Sequence, residues 1–131
     1  MLTASIVLYN NDRKILLESI NSFLNSDTKE SLYLYLIDNS PTDELKDLIV
    51  HPKVEYISNP SNPGFGAAHN IAFKNALKLD SRYHLVLNPD VYFETTTIDL
   101  LLNFMNDQPN VGNVMPKVLY PDGHVQYLCK F

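Results

Sequence analysis

Residues 2–12 read LTASIVLYNND, and the fold follows from how this stretch is interpreted. Residues 2–9 are almost continuously apolar, the pattern of a strand covered on both faces, whereas a half-exposed antiparallel strand would alternate. Asn10, Asn11 and Asp12 then stop the run and offer side-chain oxygens able to cap a helix. A helix over about residues 13–24 follows, with Leu16, Ile20, Phe23 and Leu24 on one stripe at spacings of three and four. A doubly buried strand feeding an amphipathic helix is the first half of a crossover unit, the element from which parallel sheets are built.

The rest of the chain repeats that unit. A second strand over residues 32–37 ends at Asp38-Asn39-Ser40-Pro41, a short helix over about 43–50 follows, and a third strand spans 54–58. The prolines and glycines of residues 59–66 can continue neither strand nor helix and form a loop. Ala68, Ile71, Ala72, Ala76 and Leu79 then repeat at helical spacing over 67–79. A fourth strand over 84–87 is ended by Asn88-Pro89-Asp90, since proline cannot donate to a central ladder. Beyond it the pattern predicts a helix over 96–105, a fifth strand over 111–118 and a hairpin turn at Pro121-Asp122-Gly123. The expected class is α/β, a Rossmann-like, mostly parallel sheet flanked by helices.

Bulk properties narrow the function. A chain of 131 residues fits one domain with a sizeable core. Its net charge of -5 repels polyanions as a whole, so nucleic acid is not the expected partner. Cys129 is the only cysteine, which excludes an internal disulfide and a multi-cysteine zinc site, and it reads as a small near-terminal hydrophobe. No signal-like start and no run of about 18 apolar residues is present, so a soluble piece is expected, with membrane association only through segments outside it.

In an open parallel sheet the ligand lies beyond the carboxyl ends of the strands. The residues expected there are Tyr9, Asn10, Asp38, Asn39, the loop from Asn62 through Gly64, Phe65 and Gly66, Asn88 and Asp90. An aromatic ring, two carboxylates, amides and a glycine loop opening a helix are the parts that hold a nucleotide. Taken singly each has a plainer explanation: an Asx turn for Asp38, core packing for Tyr9, a turn for the glycine loop, a helix cap for Asp90. Gly64-Phe65-Gly66 is not a dinucleotide fingerprint, because His69 stands where the third glycine belongs and the loop follows the third strand. His51, His84 and His124 show no ligand spacing and read as surface or strand residues.

Four segments together resemble family 2 glycosyltransferases, in particular the rhamnosyltransferase-like branch. They are Ser5-Ile6-Val7-Leu8-Tyr9-Asn10, Ile37-Asp38-Asn39-Ser40, Asn62-Pro63-Gly64-Phe65-Gly66-Ala67-Ala68-His69-Asn70 and Leu87-Asn88-Pro89-Asp90-Val91. The resemblance implies a GT-A-like fold and a nucleotide-sugar donor, UDP- or dTDP-linked, such as an activated rhamnose. Tyr9 and Asp38 would then contact a pyrimidine base, with Asn10, Asn39, Asn62, Gly64, Phe65, Gly66, Asn70 and Asn88 around the nucleotide. Asp90 would hold Mg2+ or Mn2+ together with the diphosphate, Asn88 replacing the first aspartate of the family's acidic motif. His69 stands where relatives often carry arginine and is a weaker partner for a diphosphate.

The implied reaction is inverting transfer of the sugar to a saccharide or lipid-linked acceptor in cell-surface polysaccharide synthesis, in the cytoplasm at the inner face of the membrane. The general base is expected beyond Phe131, in an acceptor-binding half, so residues 1–131 read as an incomplete domain that by itself does not catalyse transfer. Two other readings are a non-catalytic nucleotide-binding module and a nucleotidyltransferase-like enzyme. The second would want a glycine-rich loop with a basic residue after the first strand, which Tyr9-Asn10-Asn11-Asp12 does not supply. A receiver-like signalling module would want an acidic pair at the same place, and that too is missing.

Overall fold

The computed structural model describes residues 1–127; the reading placed on Cys129 falls outside the described residues. The elements in chain order are β1 (Leu2–Leu8), α1 (Arg13–Leu24), β2 (Leu32–Asp38), β3 (Val54–Ser58), α2 (Phe65–Lys78), β4 (Tyr83–Leu87) and α3 (Thr97–Asp107). The four strands form one sheet in the order β3-β2-β1-β4. Every pairing is parallel, with Leu2 opposite both Leu32 and Tyr83 and Leu34 opposite Val54. The expected α/β class is therefore the observed one.

All seven residues of β1 are buried, as its unbroken apolar run requires. Because side chains alternate across a strand, the two faces acquire separate cores. On one face Leu2, Ala4, Ile6 and Leu8 pack with Leu34 and Leu36 of β2, Leu16, Ile20 and Phe23 of α1, and Ile98 and Leu102 of α3. On the other, Val7, Tyr35 and Ile37 meet Ala68 and Ala72, whose small side chains let α2 lie close to the sheet. Asp12 caps α1 as its type suggests, its carboxylate accepting from the N–H groups of Lys14 and Ile15 at 2.9 and 3.0 Å.

Two expected elements are absent. Residues 43–50 form turns rather than a helix, with Lys46 N donating to Asp43 O and Leu48 N to Leu45 O. Only Leu45 is buried there, and so short a segment gains too little packing to offset helix nucleation. Residues 111–118 are not a strand: no ladder reaches them, Gly112 and Pro116 interrupt the run, and its apolar side chains stay partly or fully exposed. The turn at Pro121-Asp122-Gly123 is present, closed by Gly123 N donating to Tyr120 O at 2.8 Å and a single antiparallel bridge between Leu119 and Val125.

Removing packed or capping groups should separate the contributions by size. Phe23→Ala should cost about 3–5 kcal/mol as a cavity-forming change and Asp12→Ala about 1 kcal/mol as a lost cap. Leu77→Ala, on the exposed face of α2, should lie within about 0.5 kcal/mol of the parent. Urea unfolding followed by circular dichroism measures all three, and a different ranking would contradict the core assignment.

Candidate functional site

Strand register brings the predicted residues to one edge. Leu8 pairs with Asp38 and Asp38 with Ser58, so the loops after β1, β2 and β3 leave the sheet side by side. β4 reaches the same edge through the pairing of Leu87 with Ile6, which delivers Asn88 and Asp90. β1 lies between β2 and β4, so strand order reverses next to it, and such a reversal opens a crevice at the carboxyl ends of the strands.

Asp38 is only 1% exposed, and its charge is met from two sides. One carboxylate oxygen accepts from the backbone N–H of Ser40 at 2.9 Å, and the other from the Tyr56 hydroxyl at 2.6 Å. The Asx turn open to it from sequence is thus present, and a tyrosine from β3 is added. Burial, followed by the hydrogen bond to Asp38, pushes the Tyr56 hydroxyl pKa well above its usual range. Asn39 is also buried, its side-chain oxygen accepting from Asn59 Nδ2 at 2.6 Å, while Asn59 N donates to Asp38 O at 2.7 Å. These contacts fix the start of the β2 loop against the end of β3.

The flanking loops are more open. Tyr9 is 56% exposed, so core packing does not account for it. Asn10 adopts a left-handed conformation at φ 49° and donates its backbone N–H to Ser40 Oγ at 2.9 Å. Asn62 at φ 42° and Gly64 at φ 101° turn the chain into α2, and only glycine tolerates the latter without strain. No side chain caps that helix, leaving its first N–H groups without a side-chain partner. Phe65 is 53% exposed, and Gly66 and Asn70 are exposed with it.

Asn88 and Asp90 are exposed, and the Asn88 carbonyl accepts from Ser19 Oγ of α1 at 3.0 Å, which anchors the turn that carries Asp90. Among the described residues no group of three His, Cys, Asp or Glu side chains could hold a metal ion. Asp90 is thus a single carboxylate beside an amide. Such a donor set suits a divalent ion only when a ligand's phosphates and water complete its coordination.

A polar cleft of about 290 Å3 opens between the β1 and β2 loops, lined by Asn10, Asn11, Arg13, Ser40, Thr42 and Glu44 with Leu45. Arg13 spans it, donating from Nη1 to the Glu44 carbonyl at 2.9 Å. Of the residues predicted from sequence, only Asn10 lines this cleft. Ser40 closes the Ile37-Asp38-Asn39-Ser40 segment but was given no role of its own, and Arg13, Thr42 and Glu44 carried no motif that could have marked them. His69 departs further from expectation: it does not face solvent but is buried at 3% exposure against Ser5 of β1.

The Asp38–Tyr56 contact gives a direct test of this edge. Tyr56→Phe leaves one oxygen of a buried carboxylate without its donor and should destabilise the chain by about 1–3 kcal/mol. Tyr33→Phe, removing an exposed 3.2 Å contact to Glu55, should change stability far less. Chemical denaturation of the two variants measures the difference, and equal losses would show that the Asp38–Tyr56 bond has no special weight.

The model of Glycosyl transferase family 2 matches residues 3–127. A hexosyltransferase of low-salt glycan biosynthesis from Haloferax volcanii is 28% identical over 89 residues, covering 67% of this chain and 29% of that protein. An N-acetylglucosaminyl-diphospho-decaprenol L-rhamnosyltransferase from Mycobacterium tuberculosis is 30% identical over 119 residues, covering 83% of this chain and 39% of its own length. The chain thus spans well under half of these relatives. In fold it is similar to S. aureus TarS: the structure in complex with UDP-GlcNAc superposes with a TM-score of 0.64 at 17% identity, covering 93% of this chain and 41% of that one. The structure of TarS residues 1–349 gives the same TM-score over 82% of this chain and 33% of that one. The sheet is accordingly of the GT-A type, and the chain belongs to glycosyl transferase family 2.

Proposed function

We propose that this chain is the donor-binding part of a longer, inverting glycosyltransferase that takes its sugar from a pyrimidine nucleoside diphosphate and works at the cytoplasmic face of a membrane. The observation that carries the reading is the convergence of Tyr9, Asp38, the 62–66 loop and Asp90 on one edge of a sheet in a chain of this family. TarS, of the same fold, has been crystallised with UDP and with UDP-GlcNAc, which supports a uridine nucleotide here. The L-rhamnosyltransferase relative supports an activated rhamnose as donor and a lipid-linked saccharide as acceptor.

Tyr9 offers an exposed ring for a base to lie against. An ionised carboxylate has about four acceptor sites, and Asp38 has used two, so it can still accept the imide proton of uracil or thymine. Backbone N–H groups at the uncapped start of α2 favour a negative charge nearby. Asn10, Asn39, Asn70 and Asn88 supply amides for ribose and sugar hydroxyls. Asp90, oriented through Asn88, would hold Mg2+ or Mn2+ jointly with the diphosphate, and such an ion would supply charge stabilisation for the leaving group. A single in-line displacement inverts the anomeric centre. We assign the general base and the acceptor pocket to sequence outside residues 1–131.

Calorimetry should find UDP or dTDP binding tighter in Mg2+ or Mn2+ than in EDTA, because ion and diphosphate share Asp90. ADP binding of equal strength would argue against a pyrimidine site, and indifference to chelator would remove the metal.

Asp38→Asn should weaken UDP binding about tenfold or more with and without metal, the loss of one charge-assisted hydrogen bond of roughly 1.5–3 kcal/mol. Asp90→Ala should abolish only the metal-dependent gain. If both variants behave alike, the division of labour between them is wrong.

A further inference from the structure

One face of the sheet carries polar side chains where a parallel sheet would be apolar. Thr3 and Ser5 of β1, both fully buried, point toward the α2 side with Val7 and pair across the strand with His84 and Val86 of β4. Ser5 Oγ lies 2.7 Å from His69 Nδ1 of α2 and 2.7 Å from His84 Nε2, so one hydroxyl joins helix to edge strand. Thr3 Oγ1 lies 2.8 Å from His84 Nδ1 and 3.0 Å from Ser81 Oγ, which itself donates to the Tyr83 carbonyl at 2.8 Å. Among the described residues His69 Nε2 is buried with no partner, so Ser5 is the one polar group among them that holds this ring. Phe65 stands edge-on over His69 at 4.3 Å between ring centres, and Phe73 covers His84 in the same way at 4.7 Å.

We propose that Ser5, His69 and His84 form a positioning relay that latches the first turns of α2, and with them the 62–66 loop, against the sheet while both imidazoles are neutral, and that acid releases the latch. His69 and Phe65 lie on successive turns of α2, so the hold on His69 is also a hold on the ring and backbone that open the helix. Its bearing on donor binding rests on the reading of that loop given above.

The groups facing the pair are few. From β1 they are the hydroxyls of Thr3 and Ser5, from β4 and the residues before it Ser81 and the Tyr83 carbonyl, and from α2 the rings of Phe65 and Phe73. No carboxylate is paired with either imidazole among the described residues, and the one ionisable neighbour acting on His84 is His69. A first proton finds only hydroxyls that can turn to accept, and a second would set two cations across one oxygen. Burial therefore lowers the His69 pKa, and burial followed by the His69 charge pushes His84 down to about 4.

The sign follows by linkage. An opened latch exposes imidazoles of ordinary pKa near 6.5, which bind protons that the closed form refuses. The closed form is fully favoured above about pH 6.5 and loses that advantage as pH falls toward 4. For His84 alone the opening equilibrium should rise about thirtyfold between pH 7.5 and 5.

Hydrogen exchange at pH 7.5 and 5.0, corrected for intrinsic rates, tests the latch in the chain as it stands. Amides of residues 68–71 should lose protection about tenfold or more at the lower pH while those of β1 and β2 hold. The double variant His69→Asn/His84→Asn, which keeps hydrogen-bonding amides at both positions but cannot titrate at either, should remain protected at both values. Ser5→Ala should be unprotected at both. Unchanged protection of residues 68–71 at pH 5.0, or an equal loss throughout the sheet, would overturn the proposal. UDP with Mg2+, titrated calorimetrically, should bind more weakly to the parent at pH 5.0 but not to the His69→Asn/His84→Asn variant. Failure to bind UDP at either pH would count against the donor reading and leave the exchange data to decide the latch.

Discussion

The structure depends on the burial of β1 between two parallel neighbours. With strands on both sides, its backbone donors and acceptors are met by β2 and β4, and its side chains have no choice but to fill the two layers above and below. Even-numbered residues from Leu2 to Leu8 demand apolar cover and receive it from α1 and α3, while the odd-numbered face takes α2. Parallel pairing then forces every connection to cross over a face of the sheet, and so sends the loops after all four strands to one edge. The candidate site is a consequence of this geometry before it is a matter of particular residues.

At that edge the residues sort by exposure. Tyr9, Phe65, Asn70, Asn88 and Asp90 stand in solvent, where a ligand can reach them without unfolding anything. Behind them Asp38, Asn39 and His69 are buried, and each is tied to a group from a different element: Tyr56 of β3, Asn59 of the following loop, Ser5 of β1. Burying a carboxylate is costly unless hydrogen bonds replace its water, and the Ser40 N–H and Tyr56 hydroxyl do so here. The same bonds hold Asp38 in one orientation. His69 Nε2 is the place where this accounting does not close.

Period and punctuation made most of the architecture readable from the chain. The unbroken run of β1, the stripe of Leu16, Ile20 and Phe23, the cap at Asp12 and the breakers at residues 59–66 and 88–90 each act locally, and each element they specify is present. The errors came where local pattern was weak and packing decided. Residues 43–50 had helix-forming residues but are too short to offset nucleation, and only Leu45 became buried, while residues 111–118 had strand-like composition but no strand to pair with. The loops that leave the carboxyl edge were legible because turn and loop chemistry is written in Asn, Asp, Pro and Gly.

Their partners were not. Tyr56, Asn59, Ser5 and His84 are unremarkable in sequence, since a tyrosine or serine within a strand has no local signature of what it will touch. Only the register that sets Asp38 beside Ser58, and Ser5 beside Val86, decides which side chains meet across the sheet. The sequence by itself determined the α/β class, the parallel sheet and the kinds of residue at its carboxyl edge, because hydrophobic period and backbone breakers operate within a few residues. Tertiary structure alone decided that Asp38 is paired with a tyrosine and that His69 turns inward to Ser5, because hydrogen bonds between side chains dozens of residues apart exist only after the strands have taken their register.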